Sequence, residues 1–124
     1  MEYKFSSEIN EHQDAINCLL ITHNKKYLIS AGKDREIKVW NTKDLALNAV
    51  LDDHEESIYC LEMSQDDKLL FSGGEDRTII VWNFSAKAQK FRLYGHVSRI
   101  INLKLTSDCQ FLFSTGHDKT IRVW

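Results

Sequence analysis

Residues 27–40 read YLISAGKDREIKVW, residues 69–82 read LLFSGGEDRTIIVW and residues 111–124 read FLFSTGHDKTIRVW. Each stretch opens on an apolar run, breaks at Gly-x-Asp plus a basic residue, and resumes as a β-branched run ending in Val-Trp. Gly and Asp supply the backbone conformations and local hydrogen bonds that a chain reversal needs. Short runs rich in Ile, Val, Phe and Trp are strand signals. The stretch therefore predicts two strands joined by a tight turn, made three times.

The flanks extend the same frame. His12, His54 and His96 stand 42 residues apart, each 28 positions ahead of Trp40, Trp82 or Trp124. Between them recur Ile16, Ile58 and Ile100; Leu19, Leu61 and Leu103; Leu28, Leu70 and Leu112. Ser30, Ser72 and Ser114, then Gly32, Gly74 and Gly116, then Asp34, Asp76 and Asp118 follow in the same register. With Ile37, Ile79 and Ile121 and Val39, Val81 and Val123, ten positions of a 29-residue window are identical in all copies. A fixed period of this length marks a repeat architecture. An earlier strand is expected at Ile16–Ile21, Ile58–Met63 and Ile100–Leu105, closed by the polar clusters THNKK, SQDDK and TSDCQ. A weaker fourth strand is expected at Leu45–Leu51 and Ala88–Leu93. Four short strands per unit describe a four-stranded antiparallel sheet. The apolar runs are unbroken rather than alternating, which predicts sheets covered on both faces by stacking on one another. A helical reading fails, because β-branched and aromatic residues dominate and polar clusters interrupt every eight to ten residues.

These motifs resemble the WD-repeat β-propeller family across nearly the whole chain. The marks are the leading His, Ser-x-Gly-x-Asp before the third strand, and the closing Val-Trp. The family's Gly-His pair reads Glu11-His12, Asp53-His54 and Gly95-His96, so only the third copy matches. Its Trp-Asp pair reads Trp40-Asn41 and Trp82-Asn83, and its Ser-Pro-Asp-Gly turn has neither Pro nor Gly here. The resemblance implies an all-β fold of propeller blades: three four-stranded antiparallel sheets in an open arc. The third blade's last strand is then absent or supplied by the N-terminal segment. Repeats are expected at about 10–51, 52–93 and 94–124, with residues 1–9 resembling a fourth strand because Tyr3–Ile9 align with Leu45–Leu51 and Lys87–Leu93.

The family's buried hydrogen-bonded tetrads would be His12/Ser30/Asp34/Trp40, His54/Ser72/Asp76/Trp82 and His96/Ser114/Asp118/Trp124. An Asp in a tight turn can accept from backbone amides and an imidazole N–H, whose other nitrogen meets the Ser hydroxyl and through it the indole. Ser, His and Asp also make up a hydrolase triad. Catalysis is not expected, because the trio occurs in three equivalent places and no Gly-x-Ser-x-Gly elbow is present.

Sixteen Lys plus Arg against eighteen Asp plus Glu give a net charge of −2, leaving no basic excess for a phosphate backbone. Nucleic acid is therefore not expected as the primary partner, and no apolar run approaches the roughly 20 residues of a membrane span. The three cysteines cannot close a disulfide set, and the N-terminus has no secretory apolar core. An intracellular, cytoplasmic setting is expected. Cys18 and Cys60 read as small buried hydrophobes, Cys109 as an exposed turn residue, and Arg35, Arg77 and Lys119 as partners of nearby acids. No cofactor is expected, since His23, His117 and Cys109 show no metal-ligand spacing.

The family docks proteins or peptides on the face carrying the His loops and Gly-x-Asp turns. The positions there that vary between copies are Gln13, Ala15 and Lys33; Glu55, Ser57 and Glu75; Val97, Arg99 and His117. Three blades do not close a ring, which typically takes four to eight. The chain is expected either as a fragment of a longer propeller or as a ring closed by self-association through its open blade faces. The function expected is a noncatalytic interaction scaffold; the alternative is the propeller region of a larger protein whose enzymatic or regulatory activity lies elsewhere.

Overall fold

The computed structural model describes all 124 residues, and every regular element is a β-strand. The first sheet holds β1 (Ile16–Ile21), β2 (Tyr27–Gly32), β3 (Ile37–Asn41) and β4 (Leu47–Leu51). The second holds β5 (Ile58–Met63), β6 (Leu69–Gly74), β7 (Ile79–Asn83) and β8 (Ala88–Leu93). The third holds β9 (Ile100–Leu105), β10 (Leu112–Gly116) and β11 (Ile121–Val123). Each strand pairs antiparallel with its neighbours in the chain. The third sheet thus lacks a fourth strand, and residues 1–12 form none. Instead Ser7 and Ile9 lie beside Leu28 and Trp40 on the outer face of the first sheet.

The strand ends follow from local chemistry. After β1, β5 and β9 the hydroxyl of Thr22, Ser64 or Thr106 bonds the side chain of Asn24, Asp66 or Asp108 at 2.6–2.7 Å. The next residue, Lys25, Asp67 or Cys109, is left-handed with φ of 64, 59 and 62°. Glycine would occupy that conformation without steric cost; here the side-chain and backbone bonds of the turn hold other residues in it. After β2, β6 and β10 a second tight turn carries Arg35, Arg77 and Lys119 at φ of 67–69°. Gly32 and Gly74 close those strands at a register slip against β1 and β5. A Cβ on either would overlap the carbonyl oxygen of Ala15 or Ser57, which the crossing loop brings against them.

The sheets stack face to face around two apolar cores. Ile29, Ile37 and Val39 of the first sheet meet Ile58, Leu70, Ile80 and Trp82 of the second. Phe71, Ile79 and Val81 on the other side of the second sheet meet Ile100, Leu103 and Leu112 of the third. Only the second sheet is covered on both sides. Burial of equivalent residues tracks this: Ile79 is fully buried but Ile121 is 71% exposed, and Ile58 is fully buried but Ile16 is 48% exposed. Polar ties cross the same seams. Asn17 Nδ2 donates to the Ile58 carbonyl (2.9 Å), and the Asp67 carboxylate accepts from the His23 and Asn24 amides (2.8 and 2.9 Å). The Leu105 amide donates to Glu62 across the second seam (3.1 Å).

Candidate binding face

Each tight turn after a second strand ends beside the loop that enters its own sheet, and three side-chain clasps join them. His12 Nδ1 lies 2.7 Å from Asp34 Oδ2, its Nε2 2.6 Å from Ser30 Oγ, and Trp40 Nε1 donates to that oxygen at 2.9 Å. His54, Asp76, Ser72 and Trp82 repeat these contacts at 2.7, 2.6 and 2.8 Å. His96, Asp118, Ser114 and Trp124 do so at 2.7, 2.7 and 2.9 Å. A carboxylate only accepts, so Nδ1 carries the proton there and Nε2 takes the Ser O–H.

The second oxygen and the loop amides complete the carboxylate's shell. Gln13, Glu55 and Val97 donate their amides to Oδ2 of Asp34, Asp76 and Asp118 (3.1, 3.3 and 3.1 Å). Glu36, Thr78 and Thr120 donate theirs to Oδ1 (3.2, 3.2 and 3.1 Å), and the Thr78 and Thr120 hydroxyls add a further bond. Burial pushes the Asp34 and Asp76 carboxyls up, but the imidazoles and amides outweigh it, leaving both below their ordinary value of 3.8. Asp118 is held well below that value, the Thr120 hydroxyl contributing most.

These clasps share the Ser–His–Asp connectivity of a hydrolytic triad. Ser30, Ser72 and Ser114 are buried, and each Oγ already accepts an indole proton.

The variable positions ride on this frame. The carbonyls of Ala15, Ser57 and Arg99 accept from the amides of Lys33, Glu75 and His117 (2.9, 2.9 and 3.0 Å). Backbones are thereby fixed while side chains differ. Gln13, Ala15, Lys33, Glu55, Val97 and His117 are exposed; Ser57, Glu75 and Arg99 are half-buried. Three of the nine are tied to one another. Glu75 accepts from the Tyr59 hydroxyl (2.7 Å) and pairs with Arg99 (3.5 Å), whose Nε donates to His117 Nδ1 (2.9 Å). This cluster bridges the second and third sheets, and Tyr59 was not among the residues singled out from sequence. The acid partners expected for Arg35, Arg77 and Lys119 are not found. The left-handed turn points Arg35 across the first seam, where its Nη1 reaches the Glu55 carbonyl (3.4 Å).

Comparison with known proteins agrees with this geometry. The family described as WD domain, G-beta repeat matches residues 3–41, 46–83 and 87–124. Each later match begins at a fourth strand, β4 or β8, so the family's unit is offset by one strand from the sheet. No curated relative matches the chain. A solved structure of RRP9 WD40 repeats is similar at a TM-score of 0.89 and 28% identity, over 93% of this chain and 36% of that one. A structure of U3-55K is similar at 0.89 and 27%, over 93% and 37%. The chain thus spans little more than a third of the structures it resembles.

Proposed function

The chain belongs to the WD40 family, and from that membership we propose that it is a noncatalytic scaffold holding protein or peptide partners on its clasp-bearing face. One observation carries the reading: the clasps immobilise the backbone at equivalent points of three sheets, while the side chains presented there differ. A rigid frame with variable tips is how recognition is grafted onto a scaffold. The tips are mixed in the first copy, acidic in the second (Glu55, Glu75) and basic-apolar in the third (Val97, Arg99, His117). Burial of each Ser, and its engagement by an indole, supports the noncatalytic part. The composition carries no basic excess for nucleic acid, and unpaired Cys18, Cys60 and Cys109 suit an intracellular, cytoplasmic setting.

Glu55→Lys is the direct test, because its side chain is exposed and only its backbone serves the clasp. Affinity capture with the variant is expected to lose partners that the parent chain retains at equal thermal stability. An unchanged partner set would remove the second copy from the face. A second reading, that the chain is the propeller region of a larger protein with its enzymatic or regulatory activity elsewhere, is favoured by the 36% and 37% coverage of the matched structures. Its test is assay of the full gene product for activity that residues 1–124 alone lack.

A further inference from the structure

One cluster on the clasp-bearing face joins two sheets where each clasp serves only one. Tyr59 stands near the start of β5, Glu75 follows β6, Arg99 precedes β9 and His117 follows β10. The Tyr59 hydroxyl donates to Glu75 Oε2 at 2.7 Å, and the same oxygen lies 3.5 Å from Arg99 Nη1. That hydroxyl, with Arg99 beside it, holds the Glu75 carboxyl below its ordinary 4.5. The guanidinium carbon sits 5.9 Å from the centroid of the Tyr59 ring, over its face. On the other side Arg99 Nε donates to His117 Nδ1 at 2.9 Å. The backbone beneath is fixed as well, since the Arg99 carbonyl accepts from the His117 amide at 3.0 Å.

Held this way, the Arg99 fork is immobilised but not saturated. Its Nε is engaged and its Nη1 has one long ion pair, while Nη2 meets no acceptor of the chain. The side chain remains 39% exposed. The repeat frame does not call for this cluster. At the equivalent positions of the first seam, 42 residues earlier, stand Asn17, Lys33, Ser57 and Glu75, with no ring and no guanidinium. There Asn17 simply ties the two sheets through the Ile58 carbonyl.

Resting on the scaffold reading above, we propose that Arg99 is the anchor for one carboxylate of a partner peptide, an Asp or Glu side chain. Tyr59, Glu75 and His117 are its positioning residues. A planar carboxylate matches the free Nη edge of the guanidinium. Fixing the fork in advance spares the rotamer entropy that a loose arginine loses on binding. Glu75 also selects the ligand. A basic side chain would meet the Arg99 charge and find Glu75 Oε2 already engaged. A phosphate dianion would add two negative charges beside Glu75 with a single guanidinium to offset them, whereas a carboxylate adds one.

The test selects binders of the intact chain from a displayed library of random short peptides, then measures the best as a synthetic peptide by titration calorimetry. The selected set is expected to share an Asp or Glu at one fixed position. Replacing that residue by its amide, or Arg99→Gln in the chain, is expected to weaken binding about tenfold or more. The two changes together are expected to do no more than either alone, a coupling that a merely structural loss at Arg99 would not produce. The change in the peptide reads the anchor without touching the fold. Tyr59→Phe keeps the ring and removes the hydroxyl; it is expected to weaken the acidic peptide by a smaller factor and leave the amide version unmoved. A selected set without a fixed acid, equal binding after the amide change, additive effects, or tighter binding of a phosphoserine version would each overturn the anchor. If such peptides still lose affinity for Glu55→Lys, the anchor alone falls and the scaffold reading stands. Peptides indifferent to both Arg99→Gln and Glu55→Lys, or no binders at all, would overturn both.

Discussion

At Asp76 one carboxylate accepts from the His54 ring, two backbone amides and the Thr78 hydroxyl. Removing it strands the Nδ1 proton of a side chain that has no solvent contact. An unsatisfied buried donor costs about 1–3 kcal/mol. Asp76→Ala is therefore expected to lower unfolding free energy by about that amount in urea titration, and Asp76→Asn by less, since its amide oxygen still accepts. The clasps also set an acid limit. Asp34, Asp76 and Asp118 all sit below their ordinary 3.8 when folded. A depressed folded pKa contributes stability in full above the unfolded value and loses it as pH falls through the folded one. Melting temperature is expected to hold level down to about pH 5 and drop below about pH 4, less steeply in Asp76→Asn.

For the strand elements, identical motifs carry unequal weight. Ile79 and Ile121 open the third strand of their sheets at the same place in the repeat, each directly after a Thr, yet one is fully buried and the other 71% exposed. Ile79→Ala is expected to cost about 2–5 kcal/mol and Ile121→Ala under about 0.5 kcal/mol, as read by paired denaturation curves. Sequence could not have separated them. Periodicity reveals the frame, because each position's hydrophobicity answers the same local geometry in all copies, and it located β1–β3 and their counterparts closely. It was weaker for β4 and β8, whose residues LNAVL and AQKFRL share no fixed frame and stand at sheet edges. It was blind to contacts between copies. The Tyr59–Glu75–Arg99–His117 cluster joins different positions of two units, so comparing like with like hides it. The N-terminal segment shows the same limit: its strand pattern is real in composition, but Ser7, Ile9 and Glu11 lie beside Leu45 and Leu47 without pairing to any strand.

Across the whole molecule the two ends of the stack are unlike its middle. The first sheet exposes Ile16, Leu19 and Ile21, and the third exposes Phe113, Ile121 and Val123. Contiguous apolar faces of this kind drive association. Sedimentation of the isolated chain is expected to show species heavier than 14.5 kDa. Ile121→Lys with Val123→Lys is expected to shift the population toward monomer without lowering the melting temperature. The middle sheet, sandwiched on both sides, has a further consequence for how the molecule opens. Fraying can begin only where a face is already wet, so it proceeds from both termini inward. Amide deuteration should then be slowest in β6 and β7 and fastest in β11 and the residues before β1. That gradient makes the second repeat the last to dissolve and the place from which the array would regrow.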